Sequence, residues 1–281
     1  MLEVIRTIEN LQKNPQRAKE VYNLYFGDST DGEEISAGVI DAARIAQICA
    51  YNCFSSDDSV RMLNENCHLF ILPSYFNHSC IANAHRNIYG DVMVIHASTN
   101  IKKGDEICLA YIHPLTHDRK KSLNCWNFTC QCYLCKADAK DEQCSKRSHI
   151  FNEFVKYSTN QNAPQTVTEK REALLKQMRK TYDNQNKFKI HLAKMLTDLS
   201  SNYFDMGNTK RCIKYLEEVI NLMQDPLEYV LEDVRVNLGI CYYSNGETSK
   251  AKEMMQKAFE LSICNDMDHF KLIYPEVAKL I

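Results

Sequence analysis

Apolar residues recur at helical spacing near both ends of the chain. Within residues 1–64 the pattern runs through IRTIENLQ and GVIDAARIAQICAYNCF, and FGDSTDGEE between them predicts a turn or loop. The helical pattern returns after about His149 and continues to the end, with natural breaks at Pro164 and Pro226. The sequence therefore predicts a helical N-terminal part and a helical C-terminal domain.

The sequence pattern changes between Leu69 and Tyr111. Short runs there are rich in Val and Ile, and apolar and polar residues partly alternate. DVMVIHAST and EICLAYI predict two strands, and IKKGDE between them predicts a turn. A polar, charged stretch from Lys136 to Arg147 predicts a linker. Taken as a whole, the pattern predicts an α+β fold, with a small β region that precedes an all-α domain.

The C-terminal helical part contains an internal repeat. LSSNYFDMGNTKRCIKYLEEV and LGICYYSNGETSKAKEMMQKA align so that Tyr203 matches Tyr242 and Gly207 matches Gly246. Small residues where two helices cross, followed by Gly at the turn, are typical of a tetratricopeptide repeat. Two units alone rarely form a stable stack, so we expect them to pack against other helices or the β region. Two amphipathic hairpins without a peptide-binding groove remain the alternative.

Composition narrows the class of protein. The chain has 281 residues, and its 34 Lys and Arg nearly balance its 36 Asp and Glu, so net charge favours neither nucleic acid nor anionic membranes as a partner. The longest apolar stretch, His68 to Phe76, is too short to span a membrane. Charged residues at Glu3 and Arg6 interrupt any signal peptide. We therefore expect an intracellular protein of the nucleus, the cytoplasm or both.

The 13 cysteines favour metal binding over disulfides, because an odd number of thiols in a reducing compartment is poorly explained by pairing. The strongest motif is Cys130-x-Cys132-x-x-Cys135, whose three thiols predict a structural zinc site rather than three unrelated buried cysteines. A fourth ligand is required, and the candidates are Cys125, Cys144, Cys80 and His78.

Other candidates are weaker when each is taken alone. Tyr111 ends a strand and Phe128 adjoins the cysteines, and both residue types usually serve for packing. Asn52 is a polar residue on an apolar helix and needs a partner. In YFNHSCIANA, His78 and Cys80 are two residues apart and would share one face of a strand, which leaves a Cys–His nucleophile pair open.

The order of these pieces resembles the catalytic half of a SET domain, of the SET–MYND type and its tetratricopeptide-associated relatives. The matching stretches are YNCFSS, LPSYFNHSCIANAHRNIYGDVMVIHAS, IKKGDEICLAYI and WNFTCQCYLC, all between residues 51 and 135. The specific set is Asn-His-Ser-Cys, then a Gly-x-Glu strand that ends in Tyr, then Phe-x-Cys-x-Cys-x-x-Cys.

Members of that family are protein-lysine methyltransferases that use S-adenosylmethionine, and the resemblance implies a role for each matching residue. Asn77 and His78 would lie in a segment that threads through a neighbouring loop and binds the cofactor. Asn52 would touch the methionine end of the cofactor, and Phe128 would stack on its adenine. Tyr111 would be the catalytic tyrosine at the methyl-transfer channel.

The resemblance also implies one structural zinc site that ties the cofactor-binding segment to the post-SET tail. It implies that the chain begins partway through the SET domain, because residues 1–48 lack both a Gly-x-Gly turn and the cysteines of a MYND finger. The implied zinc ligands are Cys80, Cys130, Cys132 and Cys135, and the implied units are residues 1–114 (SET), 115–138 (post-SET) and 149–281 (tetratricopeptide-like).

The leading hypothesis is a protein-lysine N-methyltransferase that acts on a histone or another protein, with a further peptide or protein partner at the helical repeats. The alternative is a non-catalytic scaffold, in which zinc stabilises the β region and the repeats bind a partner. A third hypothesis is Cys–His nucleophilic catalysis at His78 and Cys80.

Overall fold

Short strand pairs and many helices make up the chain, which confirms the α+β class. A computed structural model of the protein describes residues 2–27, 39–55, 67–89, 91–157, 164–184, 186–223, 225–262 and 266–277. Most of the predicted loop FGDSTDGEE and the end of YNCFSS lie outside the described residues.

The strands of the described residues form three separate two-stranded sheets in the middle of the chain. Two sheets are antiparallel and the third is a two-residue parallel pair. The antiparallel pairs are β1 (Cys53–Ser55) with β2 (Cys67–Leu69) and β4 (Ala84–Tyr89) with β5 (Val92–Ala97), and the parallel pair is β3 (Asn77–His78) with β6 (Cys108–Leu109).

Both predicted strands are present, although the second is shorter than its sequence pattern. DVMVIHAST forms β5, which pairs with β4 in a hairpin. EICLAYI contributes only β6 because its partner β3 offers just two residues for pairing. The predicted turn between them contains Gly104 at φ +98°, a conformation that glycine adopts without steric cost.

Helices flank this β region on both sides. At the N-terminal side, Ile45 and Ile48 of α3 pack with Leu11 of α1 in a separate apolar cluster. None of the helices in the described residues is both long and apolar enough to cross a membrane. The helices are α1 (Leu2–Lys13), α2 (Ala18–Tyr22), α3 (Ala42–Asn52), α4 (Arg119–Leu123), α5 (Tyr133–Lys140), α6 (Cys144–Lys156), α7 (Pro164–Arg179), α8 (Ile190–Asp205), α9 (Thr209–Leu222), α10 (Glu232–Ser244), α11 (Thr248–Leu261) and α12 (Met267–Ile273).

The prediction of a linker from Lys136 to Arg147 is wrong, because this stretch belongs to helices α5 and α6. Its charges are used inside the protein. Arg147 is buried, forms an ion pair with Asp141 at 2.8 Å and donates from Nη2 to the carbonyl of Thr181 at 2.6 Å. A charged segment therefore looks like a solvated linker in the sequence although its charges are paired in the fold.

The two predicted repeat units are present as two helix pairs, α8 with α9 and α10 with α11. Their turns are built in the same way. Gly207 and Gly246 have φ values of +70° and +80°. The residue after each glycine, Asn208 or Glu247, donates its backbone N–H to the carbonyl of the matching Tyr203 or Tyr242. The repeats also share a continuous apolar core with α6 and α7, as expected for units that cannot stack alone.

The β region contacts the repeats through side chains. His85 of β4 stacks on Tyr229 with ring centroids 4.7 Å apart. Nearby, the Tyr274 hydroxyl lies 2.7 Å from Asp233 Oδ1 and 3.2 Å from Glu232 Oε1. Burial raises the pKa of Glu232 to about 7, with a further contribution from the charge of Asp233 and an opposing one from Tyr274. Ionised Glu232 is therefore a cost to the folded state near neutral pH.

Replacing Gly239 by Ala should destabilise the repeats. A Cβ at Gly239 would lie 2.7 Å from Met255 Cε, so the Met255 side chain would have to move within the core, and 3.2 Å from the carbonyl oxygen of Ala251, a tight contact with the backbone of α11. We expect a loss of about 1–3 kcal/mol in the free energy of unfolding, despite the better helix propensity of Ala. Urea unfolding measures it, with Asn237→Ala on the exposed face of α10 as the control.

Replacing Glu232 by Gln should stabilise the protein increasingly as the pH rises from 4.5 to about 7, and by a constant amount above that. Because the folded-state pKa of Glu232 is raised from 4.5 to about 7, wild-type stability falls as the pH rises through that interval and stays lower above it. The neutral Gln avoids this loss, which is of the order of 2–3 kcal/mol. Urea unfolding of both proteins should coincide below pH 4.5 and diverge by pH 8, whereas the exposed control Glu228→Gln should show no such divergence. Equal stability at pH 8 would contradict the assignment.

Candidate active site and zinc centre

The site is built where two distant parts of the chain run side by side. In the parallel pair, Asn77 is opposite Cys108 and His78 is opposite Leu109. Asn83 extends this short pairing, because its Oδ1 accepts from the N–H of Cys108 at 2.8 Å. Side-chain hydrogen bonds thus replace the ladder that a longer strand would supply, and they fix β3 against β6.

Four cysteine sulfurs converge beside this pair. The sulfurs of Cys80, Cys130, Cys132 and Cys135 all lie within 4.8 Å of one another. The Sγ of Cys80 is 3.6 Å from that of Cys135 and 3.9 Å from that of Cys130. Sulfurs about 2.3 Å from a tetrahedral zinc would be about 3.8 Å apart, so the donor set fits this metal.

Of the candidates for a fourth zinc ligand, Cys80 is the one whose sulfur lies with the other three. Cys80 is 1% exposed and belongs to the four-sulfur group, whereas Cys125 is exposed and, like Cys144, lies outside it. Cys80 reaches the other three because the chain turns immediately after β3. The identity of the metal and the role of each thiol stay predictions.

His78 joins the cysteine cluster to the strand that follows. Its Nδ1 accepts a hydrogen bond from the N–H of Tyr111 at 3.0 Å, so the ring proton resides on Nε2. That Nε2 lies 3.3 Å from the Sγ of Cys80 and can donate to it. Burial lowers the pKa of His78 to about 4, so the ring is neutral at pH 7. A neutral N–H donor suits a metal-bound thiolate.

The same geometry argues against a Cys–His nucleophile. His78 does contact Cys80, but the thiol is 1% exposed and surrounded by three other sulfurs. The histidine nitrogen that faces it carries the proton, because the other nitrogen accepts from the backbone of Tyr111. A substrate cannot reach the sulfur, and the ring is not placed as its base.

Tyr111 lies in a cluster of aromatic rings. Its ring centroid is 5.3 Å from those of His78 and Trp126 and 6.2 Å from that of Phe128. The hydroxyl donates to the carbonyl of Phe76 at 2.7 Å. Burial raises the pKa of Tyr111, and the charges of Cys108 and Glu106 raise it further. The phenol therefore stays protonated, and its oxygen retains lone pairs for a second partner.

A small pocket of about 50 Å³ opens beside Tyr111. Asn52 lies in its wall, but the amide nitrogen already donates to the carbonyls of Tyr25 at 2.6 Å and Ile48 at 2.8 Å. Both amide hydrogens of Asn52 thus hold the end of α3 in place, which leaves Oδ1 as the atom available to a ligand. The lining residues are Tyr51, Asn52, Cys53, Phe54, Ser74, Arg86, Tyr111 and Trp126.

Phe128 and Asn77 lie on the open side of the aromatic cluster. The Phe128 ring is 37% exposed and 5.9 Å from the His78 ring. Asn77 is also exposed, and its Nδ2 donates to Glu106 Oε1 at 2.6 Å. The structure therefore brings His78 and Phe128 next to Tyr111, with Asn77 adjoining His78 in β3, and places Asn52 in the wall of the same pocket as Tyr111; the roles of these residues stay predictions.

The sequence interpretation missed Trp126. Its Nε1 donates to the carbonyl of Tyr51 at 3.0 Å, which fixes one wall of the pocket against α3. A signal was available, because this is the only tryptophan in the chain and it stands two residues before Phe128. Arg86, which also lines the pocket, had no local signal because it lies within a strand.

Comparison with known families agrees with this geometry. The SET domain family matches residues 3–112, which include β3, β6 and Tyr111. The tetratricopeptide repeat family matches residues 193–225 and 232–262. The chain therefore contains a segment that matches the SET domain family, followed by two segments that match tetratricopeptide repeats. This confirms the resemblance stated from the motifs, whereas the unit boundaries at residues 114, 138 and 149 stay predictions.

Curated relatives carry methyltransferase names. A methyltransferase of Gibberella zeae is 25% identical over 234 residues, which cover 71% of this chain and 30% of that protein. The histone-lysine N-methyltransferase SET5 of Candida albicans is 33% identical over 31% of this chain and 20% of its own length. The protein-lysine N-trimethyltransferase SMYD5 of Mus musculus is 36% identical over 27% of this chain and 20% of its own length. The matches thus span less than a third of each relative.

Replacing Cys132 by Ser should remove the metal and destabilise the protein. A tetrahedral site loses a quarter of its donors, and binding energy of a structural zinc is folding energy. Elemental analysis should find about one zinc per wild-type chain and much less in the variant. Cys144→Ser, which removes a nearby thiol outside the cluster, should keep full occupancy. Full occupancy in the Cys132 variant would remove that residue from the ligand set.

Proposed function

We propose that this chain supplies the methyl-transfer and substrate-binding part of an S-adenosylmethionine-dependent protein-lysine N-methyltransferase. The observation that carries the proposal is the placement of Tyr111, a half-buried residue whose hydroxyl is held by the Phe76 carbonyl and which lines a pocket with aromatic rings in its wall. The family match and the names of the relatives support the reaction class.

The pocket can orient a lysine amine. Because the Tyr111 hydroxyl donates to Phe76, the phenol oxygen is free to accept a hydrogen from the amine, and the Phe76 carbonyl retains a second lone pair. Two acceptors fix the direction in which the nitrogen lone pair points. Holding that lone pair in line with a transferable methyl group is the largest contribution that a protein makes to such a displacement.

The residues that line the Tyr111 pocket also favour the neutral form of the substrate lysine, which is the reactive one. Phe54, Trp126 and Tyr51 contribute aromatic rings to a lining that also carries polar groups, and loss of water on entering so narrow a pocket would lower the pKa of a lysine. Arg86 lies in the same wall with its guanidinium over the Phe54 ring at 5.0 Å, and its positive charge disfavours a second cation. Both effects favour neutral lysine, which is the nucleophile.

The cofactor would bind on the opposite side of Tyr111. When bound, S-adenosylmethionine supplies the methyl group from a sulfonium. The exposed Phe128 ring offers a stacking surface for adenine, and Asn77 and the backbone of β3 offer polar groups beside it. Asn52 can contribute Oδ1 at the far wall. In this arrangement the cysteine-bound zinc fixes both Phe128 and β3, since Cys130 and Cys80 adjoin them in the chain.

A polypeptide substrate can reach the pocket from the cleft between the β region and the repeats. Arg86 lines both the Tyr111 pocket and this second cleft of about 210 Å³. The far wall of the cleft carries Glu232 and Asp233 from α10. We propose a protein substrate, and the choice between a histone and another protein depends on residues that flank its target lysine.

A non-catalytic scaffold is the second candidate function. The observation that favours it is the full use of the Asn52 amide hydrogens within the fold, which reduces the polar contacts available to a cofactor. On this alternative the zinc centre and the repeats hold a protein partner. Absence of cofactor binding by the folded protein would favour it.

Replacing Tyr111 by Phe should separate binding from turnover. The hydroxyl contacts the reacting groups but not the adenine or the zinc, so cofactor binding by calorimetry should stay within about twofold of the parent, whereas radiolabelled methyl transfer should fall about 10²-fold or more. Tyr75→Phe, which removes a hydroxyl from a 58% exposed ring, is the matched control and should retain activity. The assay uses the chain alone and joined to the N-terminal SET segment of a relative. If neither folded form binds the cofactor or transfers methyl, the enzyme proposal fails.

A further inference from the structure

A second, larger cavity lies on the other side of the cysteine cluster. Its volume is about 510 Å³, within the range of sites that bind small molecules. Helices α4, α5, α6 and α8 each contribute to its wall, and its lining shares no residue with the Tyr111 pocket. Phe128 lies at its edge, so the cavity adjoins the proposed cofactor site, whereas Arg119, Asp138 and His191 in its wall have no role in the proposed methyl transfer.

Two buried polar side chains in this cavity have nitrogen atoms without a hydrogen-bond partner among the described residues. Arg119 is 7% exposed; its Nη2 donates to Asp138 and its guanidinium lies beside Cys135, yet Nε and Nη1 have no partner of good geometry among the described residues. His191 is 6% exposed, and its Nε2 is likewise unpartnered. Buried donors without acceptors are costly, so each such atom indicates a missing partner.

The rim of the cavity is positively charged. Lys120 of α4 and Lys136 and Lys140 of α5 line it, and none of the three forms an ion pair with a carboxylate of the described residues. The two carboxylates in the lining are already engaged. Asp118 accepts from the backbone N–H of Lys121 at 3.1 Å as the cap of α4, and Asp138 accepts from Arg119. A divalent metal would offset half of the charge of the four cysteine thiolates, and the adjacent guanidinium would reduce the remainder.

Part of the lining is apolar. Leu123 and Ala139 lie among the charged residues, so a ligand that is charged at one end and apolar at the other would match both halves. Arg donors at the base and Lys ammonium groups at the rim are the usual recognition set for phosphate. His191 offers its Nε2 to a hydroxyl or ester oxygen of the same ligand.

We propose that this cavity is a second small-molecule site that binds a phosphate ester with a compact apolar body. The free N–H groups of Arg119 and the rim lysines would hold the phosphate, and Leu123 and Ala139 would cover the apolar body. Cys130 and Cys135 also line the cavity. A bound ligand would therefore affect the position of the cysteine segment that supports Phe128.

The test uses phenyl phosphate as the probe, with the zinc-loaded full chain and calorimetry. Phenyl phosphate has no adenine, so it does not imitate the methyl donor. We expect it to bind, inorganic phosphate to bind more weakly, and phenol not to bind detectably. Raising the salt concentration should weaken the binding, as expected for a charge-dependent contact. No binding of phenyl phosphate would overturn the proposal.

Variants locate the binding. The double variant Lys120→Gln with Lys136→Gln removes two rim charges from exposed positions and should weaken phenyl phosphate about tenfold or more. Lys121→Gln removes the neighbouring exposed charge on α4 that does not line the cavity, and it should bind as the parent does. Equal weakening in both proteins would reveal a general effect of charge and would overturn the proposal. Competition between phenyl phosphate and S-adenosylmethionine for one site would do the same, since it would place the probe in the cofactor site.

Discussion

The whole site depends on one imidazole that joins two otherwise separate structures. His78 accepts from the backbone of Tyr111 on one side and faces the sulfur of Cys80 on the other. The parallel pair that carries it has only two residues on each strand, too few to hold its own register. The ring helps to fix that register together with Asn83, because His78 Nδ1 accepts from the N–H of Tyr111, two residues beyond Leu109, its partner in the pair. Cysteine cluster and aromatic pocket are thus positioned by the same side chain.

This arrangement explains how the cysteine cluster can affect the position of residues that do not contact its sulfurs. Cys80 follows β3, and Cys130 stands two residues after Phe128. A metal that holds these thiols would fix the start of the post-SET segment and the end of β3 at once, and therefore the rings on either side of Tyr111. The hydroxyl of Tyr111 adds a third constraint, because it closes back on Phe76, immediately before β3. Each of these contacts joins residues far apart in the chain, so none of them is stable unless the others form.

The features that depend on residues close together in the sequence could be predicted, and those that depend on distant residues could not. The repeats were predicted because their turns depend on neighbouring residues: Gly207 and Gly246 adopt positive φ, and each helix pair follows from its own pattern. The three clustered cysteines were found for the same reason. The fourth thiol was left among several candidates when the motif was read alone, since Cys80 reaches the others only through the β3–β6 pairing. The helices at Lys136 to Arg147 were missed because the partners of their charges, such as Thr181, come from α7 and the turn beyond it.

The cysteine cluster also has a second face, and its chemistry differs from the first. Toward β3 it meets a neutral histidine, and toward α4 it meets the guanidinium of Arg119, which is paired with Asp138. Four thiolates around a divalent metal carry a net negative charge, so a buried cation on one side and a neutral donor on the other reduce the cost of burying it. The cation is held by α4 and α5, which pack on the helical domain, whereas the histidine belongs to the β region. With a metal bound, the cysteine cluster would therefore couple the two parts of the chain electrostatically, and a change at either face would alter the charge balance at the other.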